Sequence, residues 1–394
     1  MLTAKRWSSN LLVNPVGFSQ GGYTPPPLGL LFLAAMDPDT RIVDAAIGED
    51  PFAYIELHRP RVVGVPIYTP QRHDSLEVLR FAKAHGCKTV AGGPHVGLML
   101  PQLVENYGFF VDHFCVGDGE RFWRDICRGD AMPDVYRDRG GDLDQLPLPA
   151  WDRVNYRAYP ARGGGIFHDV NLTTEPRIPV IFGRGCNGSC TFCSTWWVQG
   201  KYRHHSLDWM TKHLAQLWDM GVRHLCFSDD CLTADREASL ALFRTMAANW
   251  RFAFHGTTRA DSLDDELAVA AAAAGCYQLA FGIESGSPTI LAKMNKKTSI
   301  DTAFVAREAC RKAGIWFTAL IMTGYPGETA ATRTEDAAFR AKLKAEDYGT
   351  TGAVWVFPGT ALYQQCKRAG LIDDSFWLGE EPYYVYRGGL TDAM

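Results

Sequence analysis

Cys186, Cys190 and Cys193 stand in one short loop, Gly183-Arg184-Gly185-Cys186-Asn187-Gly188-Ser189-Cys190-Thr191-Phe192-Cys193. Thiolates are the usual ligands of iron–sulfur clusters, and clusters that only carry electrons normally take four of them. Three in one loop suit a [4Fe-4S] cluster with one iron left unligated, and an open iron is where chemistry can occur. Gly183, Gly185 and Gly188 let the backbone wrap closely around such a cluster. The competing assignment is a structural zinc knot, but structural zinc is almost always four-coordinate and the loop offers three thiolates.

The elements around the loop alternate in type. Strands are expected near Val180 to Phe182, His224 to Ser228, Phe252 to Thr257, Tyr277 to Phe281, Trp316 to Met322 and Gly352 to Val356. Helices are expected between them, near Leu207 to Met220, Arg236 to Trp250, Asp264 to Ala274, Ile300 to Ala313 and Thr332 to Lys344. Gly221, Gly275 and Gly314 mark helix ends. Six β/α units predict part of a (β/α) barrel, whose active site belongs at the carboxyl ends of the strands. The cysteine loop follows the first strand, where that rule puts it.

The N-terminal part also alternates, with strands expected near Leu11 to Asn14, Arg41 to Asp44, Val62 to Val65, Thr89 to Ala91 and His113 to Val116. Pro27 starts one helix, and Asp74 is expected to cap another that runs to His85. This pattern predicts a doubly wound, Rossmann-like parallel sheet with ligands at its carboxyl ends. Those ends are loops rich in Pro, Gly and His: Asn14-Pro15, Val65-Pro66-Ile67-Tyr68-Thr69, Gly92-Gly93-Pro94-His95 and Gly117-Asp118-Gly119-Glu120. Between the two parts the periodicity fades into Asp, Gly and Pro, which reads as a connector, with Gly163-Gly164-Gly165 expected to be mobile. The boundaries expected are 1–136 for the first domain, 137–177 for the linker, 178–365 for the barrel and 366–394 for a C-terminal extension.

The 394 residues, 46% of them hydrophobic, can bury two cores. With 40 basic against 44 acidic residues there is no overall field to recruit nucleic acid or an anionic membrane. Eleven cysteines, an odd number set mostly in apolar runs, with no visible signal peptide or membrane span, predict a reducing cytoplasm.

The Cys-x3-Cys-x2-Cys spacing, with Phe192 before the last cysteine, resembles the signature of the radical S-adenosylmethionine (SAM) enzymes. The resemblance implies that the three thiolates hold a [4Fe-4S] cluster, that SAM occupies the open iron, and that one electron from a donor such as flavodoxin or ferredoxin cleaves it to a deoxyadenosyl radical. It extends over most of the second domain. Gly282-Ile283-Glu284-Ser285-Gly286 resembles the ribose-contacting segment, and Ser228, Asp229 and Asp230 resemble positions that hold the methionine amine. Arg259 is implied as the partner of the SAM carboxylate, and Ile321 through Gly324 resembles the segment beside the adenine. Each has a plainer alternative: a helix cap for Glu284, a solvated turn for the Ser-Asp-Asp run, a surface ion pair for Arg259.

The first domain resembles the cobalamin-binding domain that precedes the barrel in one radical SAM subclass, on the segments Leu12-Val13-Asn14-Pro15, Pro26-Pro27-Leu28-Gly29, Gly92-Gly93-Pro94-His95 and Gly117-Asp118-Gly119-Glu120. The implied corrinoid contacts are Ile67, Tyr68, Thr69, Gly92, Gly93, His95, Gly117 and Glu120, with Ile67, Tyr68 and Thr69 facing the lower side of the cobalt. The Asp-x-His-x-x-Gly motif that supplies an axial imidazole in many cobalamin proteins is absent. His73 and His95 are read as turn or surface residues rather than cobalt ligands.

The resemblance thus implies a cobalamin-dependent radical SAM methyltransferase acting on an unactivated carbon or phosphorus of a small molecule or peptide, in secondary metabolism, with no nucleic acid or membrane involved. The alternative in the same family keeps the radical without cobalt, for dehydration, rearrangement or transfer of another SAM-derived group; the few residues after the last expected strand motivate it. A methylthiotransferase needs a second cysteine trio, and Cys87, Cys115 and Cys127 read instead as buried apolar residues. A non-catalytic metal or corrinoid binder is the reading from outside enzymology. Trp196, Trp197, Tyr202, Arg203 and the run Tyr383 to Arg387 could line a pocket, though core or interface is the preferred assignment.

Overall fold

A computed structural model describes residues 10–15, 25–138, 140–161, 164–167, 169–344 and 347–390; Gly163 of the expected mobile run falls outside them. The chain forms two compact units. One runs to Pro160 and also takes in Asp374–Pro382; the other runs from Ala161 to Asp373 and resumes at Tyr383.

The first unit is built on a six-stranded sheet of Asn10–Asn14, Thr40–Asp44, Val62–Pro66, Lys88–Gly92, His113–Gly117 and Val135–Asp138, all parallel. In space the order is second, first, third, fourth, fifth, sixth. Parallel strands are covered on both faces and so read as continuous apolar runs, as Leu11, Leu12 and Val13 or Val62 and Val63 do here, all buried. The order reverses between the first and third strands, which is where such sheets hold ligands. Val135–Asp138 escapes sequence reading because it is a short, half-buried edge strand without an apolar run. It and the turns that follow, with Trp151 and Tyr159 buried, put residues 137–160 in the first unit, inside the stretch expected to be linker.

The helix Leu28–Ala35 begins directly after Pro27, as expected. The helix Arg72–Ala84 starts earlier than expected: Gln71 is its cap residue, and Asp74 lies in the first turn, where a negative charge suits the helix dipole. Pro51–His58, Pro94–Tyr107 and Glu120–Arg128 complete the layers.

In the second unit Ile178–Val180, His224–Phe227, Ala253–Thr258, Cys276–Glu284, Trp316–Thr323 and Tyr348–Ala353 form one open parallel sheet in which chain neighbours are also spatial neighbours. This is a partial (β/α)6 barrel. Several of its helices start at side-chain caps that accept from the following amides, Ser206 from Trp209, Asp235 from Ala238, Asp264 from Leu267 and Thr329 from Thr332, while Ile300–Ala313 has no such cap bond. Along Cys276–Glu284 burial alternates, with Leu279, Phe281 and Ile283 buried on one face and Gln278, Ala280, Gly282 and Glu284 half open on the other.

Two strands end differently from expectation. The first stops at Val180, because the amides of Phe182 and Gly183 turn to the Asp229 side chain and Gly183–Arg184 pairs with Arg203–His204. The last breaks after Ala353, and Trp355–Val356 pairs antiparallel with Tyr384–Val385.

Candidate functional site

The cysteine loop leaves the first barrel strand and is tied down by residues from several other strand ends. Ser228, exposed, donates its amide to the Val180 carbonyl at 2.8 Å, which seats the Ser228-Asp229-Asp230 turn beside the start of the loop. Asp229 is 3% exposed and accepts from the amides of Phe182 (3.1 Å) and Gly183 (2.6 Å) through its two oxygens. Burial still pushes its carboxyl up to about 7. Asp229, implied as a contact of the methionine amine, is therefore an anchor of the loop with its oxygens turned inward. Asp230 is exposed and accepts from the Thr195 hydroxyl at 2.9 Å.

Gly185 adopts φ +88°, and a Cβ there would lie 2.8 Å from the carbonyl oxygens of Gly200 and Lys201. The loop can make this turn only without a side chain. Further along, Asn295 Nδ2 donates to the Ser189 carbonyl (2.9 Å) and hydroxyl (3.0 Å), and the Thr191 amide donates to the Met294 carbonyl at 3.0 Å. The Thr191 hydroxyl bonds the Tyr325 hydroxyl, and Phe192 meets the Tyr325 ring edge-on at 6.4 Å.

Cys186, Cys190 and Cys193 are half-buried free thiols. Among the described residues no three His, Cys, Asp or Glu converge closely enough to hold a single metal ion. The Gly188 amide donates to Cys186 Sγ at 3.3 Å. A Cβ at Gly188 would sit 3.4 Å from Cys186 Sγ, 3.8 Å from Cys190 Sγ and 3.1 Å from Arg259 Nη1. Two thiols and a guanidinium therefore close in on Gly188, where a side chain would crowd them. Burial raises the thiol pKa of Cys186 and Cys190; Arg259 acts on both in the opposite sense, and Lys296 on Cys190, as cations beside nascent thiolates should. These residues fit a thiolate-held cluster.

Arg259 is held by Asp261, which accepts from Nε at 2.9 Å and Nη2 at 2.7 Å, and by the Lys296 carbonyl at 2.9 Å. Glu284 ends its strand at φ +69°, and its Oε1 accepts from Lys296 Nζ at 2.9 Å. Ile321 pairs in register with Glu284 across the adjacent strand, but its side chain is buried, so only its backbone is offered. Ser285 is buried and accepts the Ser287 amide at 3.1 Å, facing the next helix. Gly324 turns at φ +78°, its amide bound to Glu328 Oε1 at 2.7 Å.

Asp261, Asn295 and Lys296 were not found by sequence reading. The run Asn295-Lys296-Lys297 looks like a solvated turn; only the need for cations beside three thiolates would have singled it out. Trp196 and Trp197 are exposed at 41% and 55% and so are not core, and Tyr383 stacks on Trp355 with centroids 4.3 Å apart. Cys87, Cys115 and Cys127 are buried thiols, with burial pushing Cys115 up to about 12.

At the carboxyl edge of the first sheet the Ile67 amide donates to the Gly92 carbonyl at 2.7 Å, and the His95 amide, beyond Gly93, donates to the Ile67 carbonyl at 3.0 Å. Gly117, exposed, ends the next strand in the row and Glu120, buried, follows it. Of the three residues expected to face the cobalt, Ile67 and Thr69 are core and only Tyr68, 45% exposed, presents its side chain. His95 is not a surface residue either. It is fully buried, its Nδ1 is 3.1 Å from Thr69 Oγ1, and burial, with the Arg72 and His73 charges nearby, lowers its pKa to about 3, so the ring is neutral.

The profile of the radical SAM superfamily matches residues 180–339, and that of the B12 binding domain matches residues 16–126. The chain is a radical SAM protein with a B12-binding-type domain. This radical SAM chain is 26% identical over 387 residues to an uncharacterised methyltransferase of Pyrococcus horikoshii, covering 90% of itself and 82% of the relative. It is 27% identical over 433 residues to the cytidylyl-2-hydroxyethylphosphonate methyltransferase of Streptomyces wedmorensis, covering 95% and 78%. In fold it is similar to the radical SAM methyltransferase TsrM from Kitasatospora setae, whose structure holds cobalamin and a [4Fe-4S] cluster, with TM-score 0.71, 18% identity and coverage of 92% and 78%. No helix among the described residues is long and apolar enough to cross a membrane.

Proposed function

We propose that the chain is a cobalamin-dependent radical SAM methyltransferase acting on a small molecule. The observation that carries the reading is the gathering of Cys186, Cys190 and Arg259 around Gly188 at the carboxyl ends of the barrel strands, in a chain that also bears a B12-binding-type domain. The likeness to methyltransferases along nine-tenths of the chain supports methyl as the group transferred.

In this reading Cys186, Cys190 and Cys193 hold the cluster. Bound together, the cluster, SAM and the corrinoid supply the radical and methyl-transfer chemistry. The protein's own share is placement and exclusion of water. Arg259, fixed by Asp261, presents its guanidinium to the SAM carboxylate, with Asp230 and Ser228 on the side of the amine. Glu284 has one oxygen held by Lys296 and offers the other to the ribose hydroxyls, and the backbone from Ile321 to Gly324 borders the adenine. Tyr68, with the Gly92–Gly93 turn and Gly117, receives the corrinoid. An external one-electron donor such as flavodoxin or ferredoxin completes the cycle.

The test is anaerobic reconstitution with iron, sulfide and cobalamin, followed by mass analysis of candidate small molecules for a gain of one methyl group. Cleavage of SAM by protein that binds no corrinoid would replace methyl transfer with the cobalt-independent alternative. Absence of any SAM cleavage would leave a binding protein.

A further inference from the structure

Arg72 is 1% exposed, yet all its recorded acceptors are main-chain carbonyls. Nη1 donates to Thr69 at 2.8 Å, Nε to Trp377 at 2.8 Å, and Nη2 to Glu381 at 2.6 Å and to Gly379. Three of the four acceptors belong to Asp374–Pro382, the strap of C-terminal chain that is part of the first unit. The strap is seated elsewhere too. Trp377 is buried with its ring 5.8 Å from the guanidinium carbon, His73 contacts the Gly379 carbonyl, and Gln102 donates to Asp374 at 2.7 Å.

A buried guanidinium is costly unless its donors are met. With the strap displaced, three of its bonds are lost, and the fourth goes to Thr69, next to the exposed Tyr68. The same Thr69 bonds His95 through its hydroxyl, and Ile67 is bonded to Gly92 and His95. The loop is therefore held from one side by the sheet edge and from the other by the strap, and Tyr68 is its exposed side chain.

We propose that Arg72 is a positioning residue for the corrinoid, locking the strap Asp374–Pro382 to Thr69 and so fixing Tyr68 where the macrocycle is received. This rests on the cobalamin reading above. It makes a segment more than 300 residues from Thr69 in sequence part of the corrinoid platform, where the sequence suggested only a tail. Arg72→Lys would keep a charge, but the three donors of one compact ammonium could not meet all four carbonyls.

The test titrates hydroxocobalamin into the cluster-loaded full chain, as wild type, Arg72→Lys, Trp377→Ala and Tyr68→Ala, and records the dissociation constant and the EPR spectrum of the bound cobalt(II) form. Iron content and melting temperature are followed in parallel. The expected result is that Arg72→Lys and Trp377→Ala each weaken binding by about 10-fold or more and alter the EPR spectrum, as Tyr68→Ala does, at wild-type iron content. Wild-type affinity and spectrum in Arg72→Lys would overturn the proposal while sparing the cobalamin reading. If Arg72→Lys fails to fold, the same comparison rests on Trp377→Ala. A wild type that binds no corrinoid would overturn both.

Discussion

Lys296 Nζ stands 2.9 Å from Glu284 Oε1 with the two side chains only 7% and 13% exposed. The pair joins the segment resembling the family's ribose contact to the run that also pins the cluster loop through Asn295. A buried pair that loses one partner leaves an uncompensated charge. Lys296→Ala is expected to lower unfolding free energy by about 3 kcal/mol, read by denaturant titration. Adding Glu284→Gln to the variant should restore much of that loss while SAM binding stays impaired.

The three cysteines are predicted to act on the cluster alone. Replacing Cys186, Cys190 or Cys193 by alanine should strip bound iron and abolish SAM cleavage. Corrinoid absorbance should remain, because the residues proposed to receive it lie in the other unit.

Asp229 serves the loop through two buried backbone amides. Asp229→Ala leaves both without an acceptor, with an expected loss of about 2–3 kcal/mol and faster loss of iron on gel filtration. Asp229→Asn, which keeps one acceptor oxygen, should fall between the two.

Gly185→Ala places a methyl group against the carbonyls of Gly200 and Lys201 at a backbone angle of +88°. The strain is of order 1–3 kcal/mol, and the measurable consequence is reduced iron loading at unchanged corrinoid affinity.

Acid should destabilise the protein through its buried histidines, offset in part by Asp229, whose carboxyl, raised to about 7, takes up its proton in the native state across much of the same window. Burial lowers His95, His213 and His255 to about 3 and His224 to about 4, against an ordinary value of 6.5. The native state then binds fewer protons than the unfolded chain between about pH 3 and 6.5, so stability is full above 6.5 and falls as pH drops through that window. Each such histidine contributes up to about 1.4 kcal/mol per pH unit. Urea midpoints from pH 7.5 to 5 should decline, and less steeply in His213→Gln if that variant folds.

The cysteine spacing and the strand–helix alternation are local properties, and the sequence alone determined from them the cluster loop, both parallel sheets and the strand ends where chemistry belongs. Periodicity reports burial, so the alternating centre of Cys276–Glu284 was legible as Tyr277 to Phe281 though not its extension to Glu284, and the half-buried edge strand Val135–Asp138 was not legible at all. What depends on residues far apart in the chain was decided by the tertiary structure. A motif names Asp229, Thr69 and His95 but cannot say which way a side chain turns; packing sent Asp229 to the backbone of the cluster loop and His95 into the core, leaving Tyr68 outward. Nor does any local signal join Arg72 to Trp377, because that contact exists only once the C-terminal chain has folded back across 305 residues of sequence.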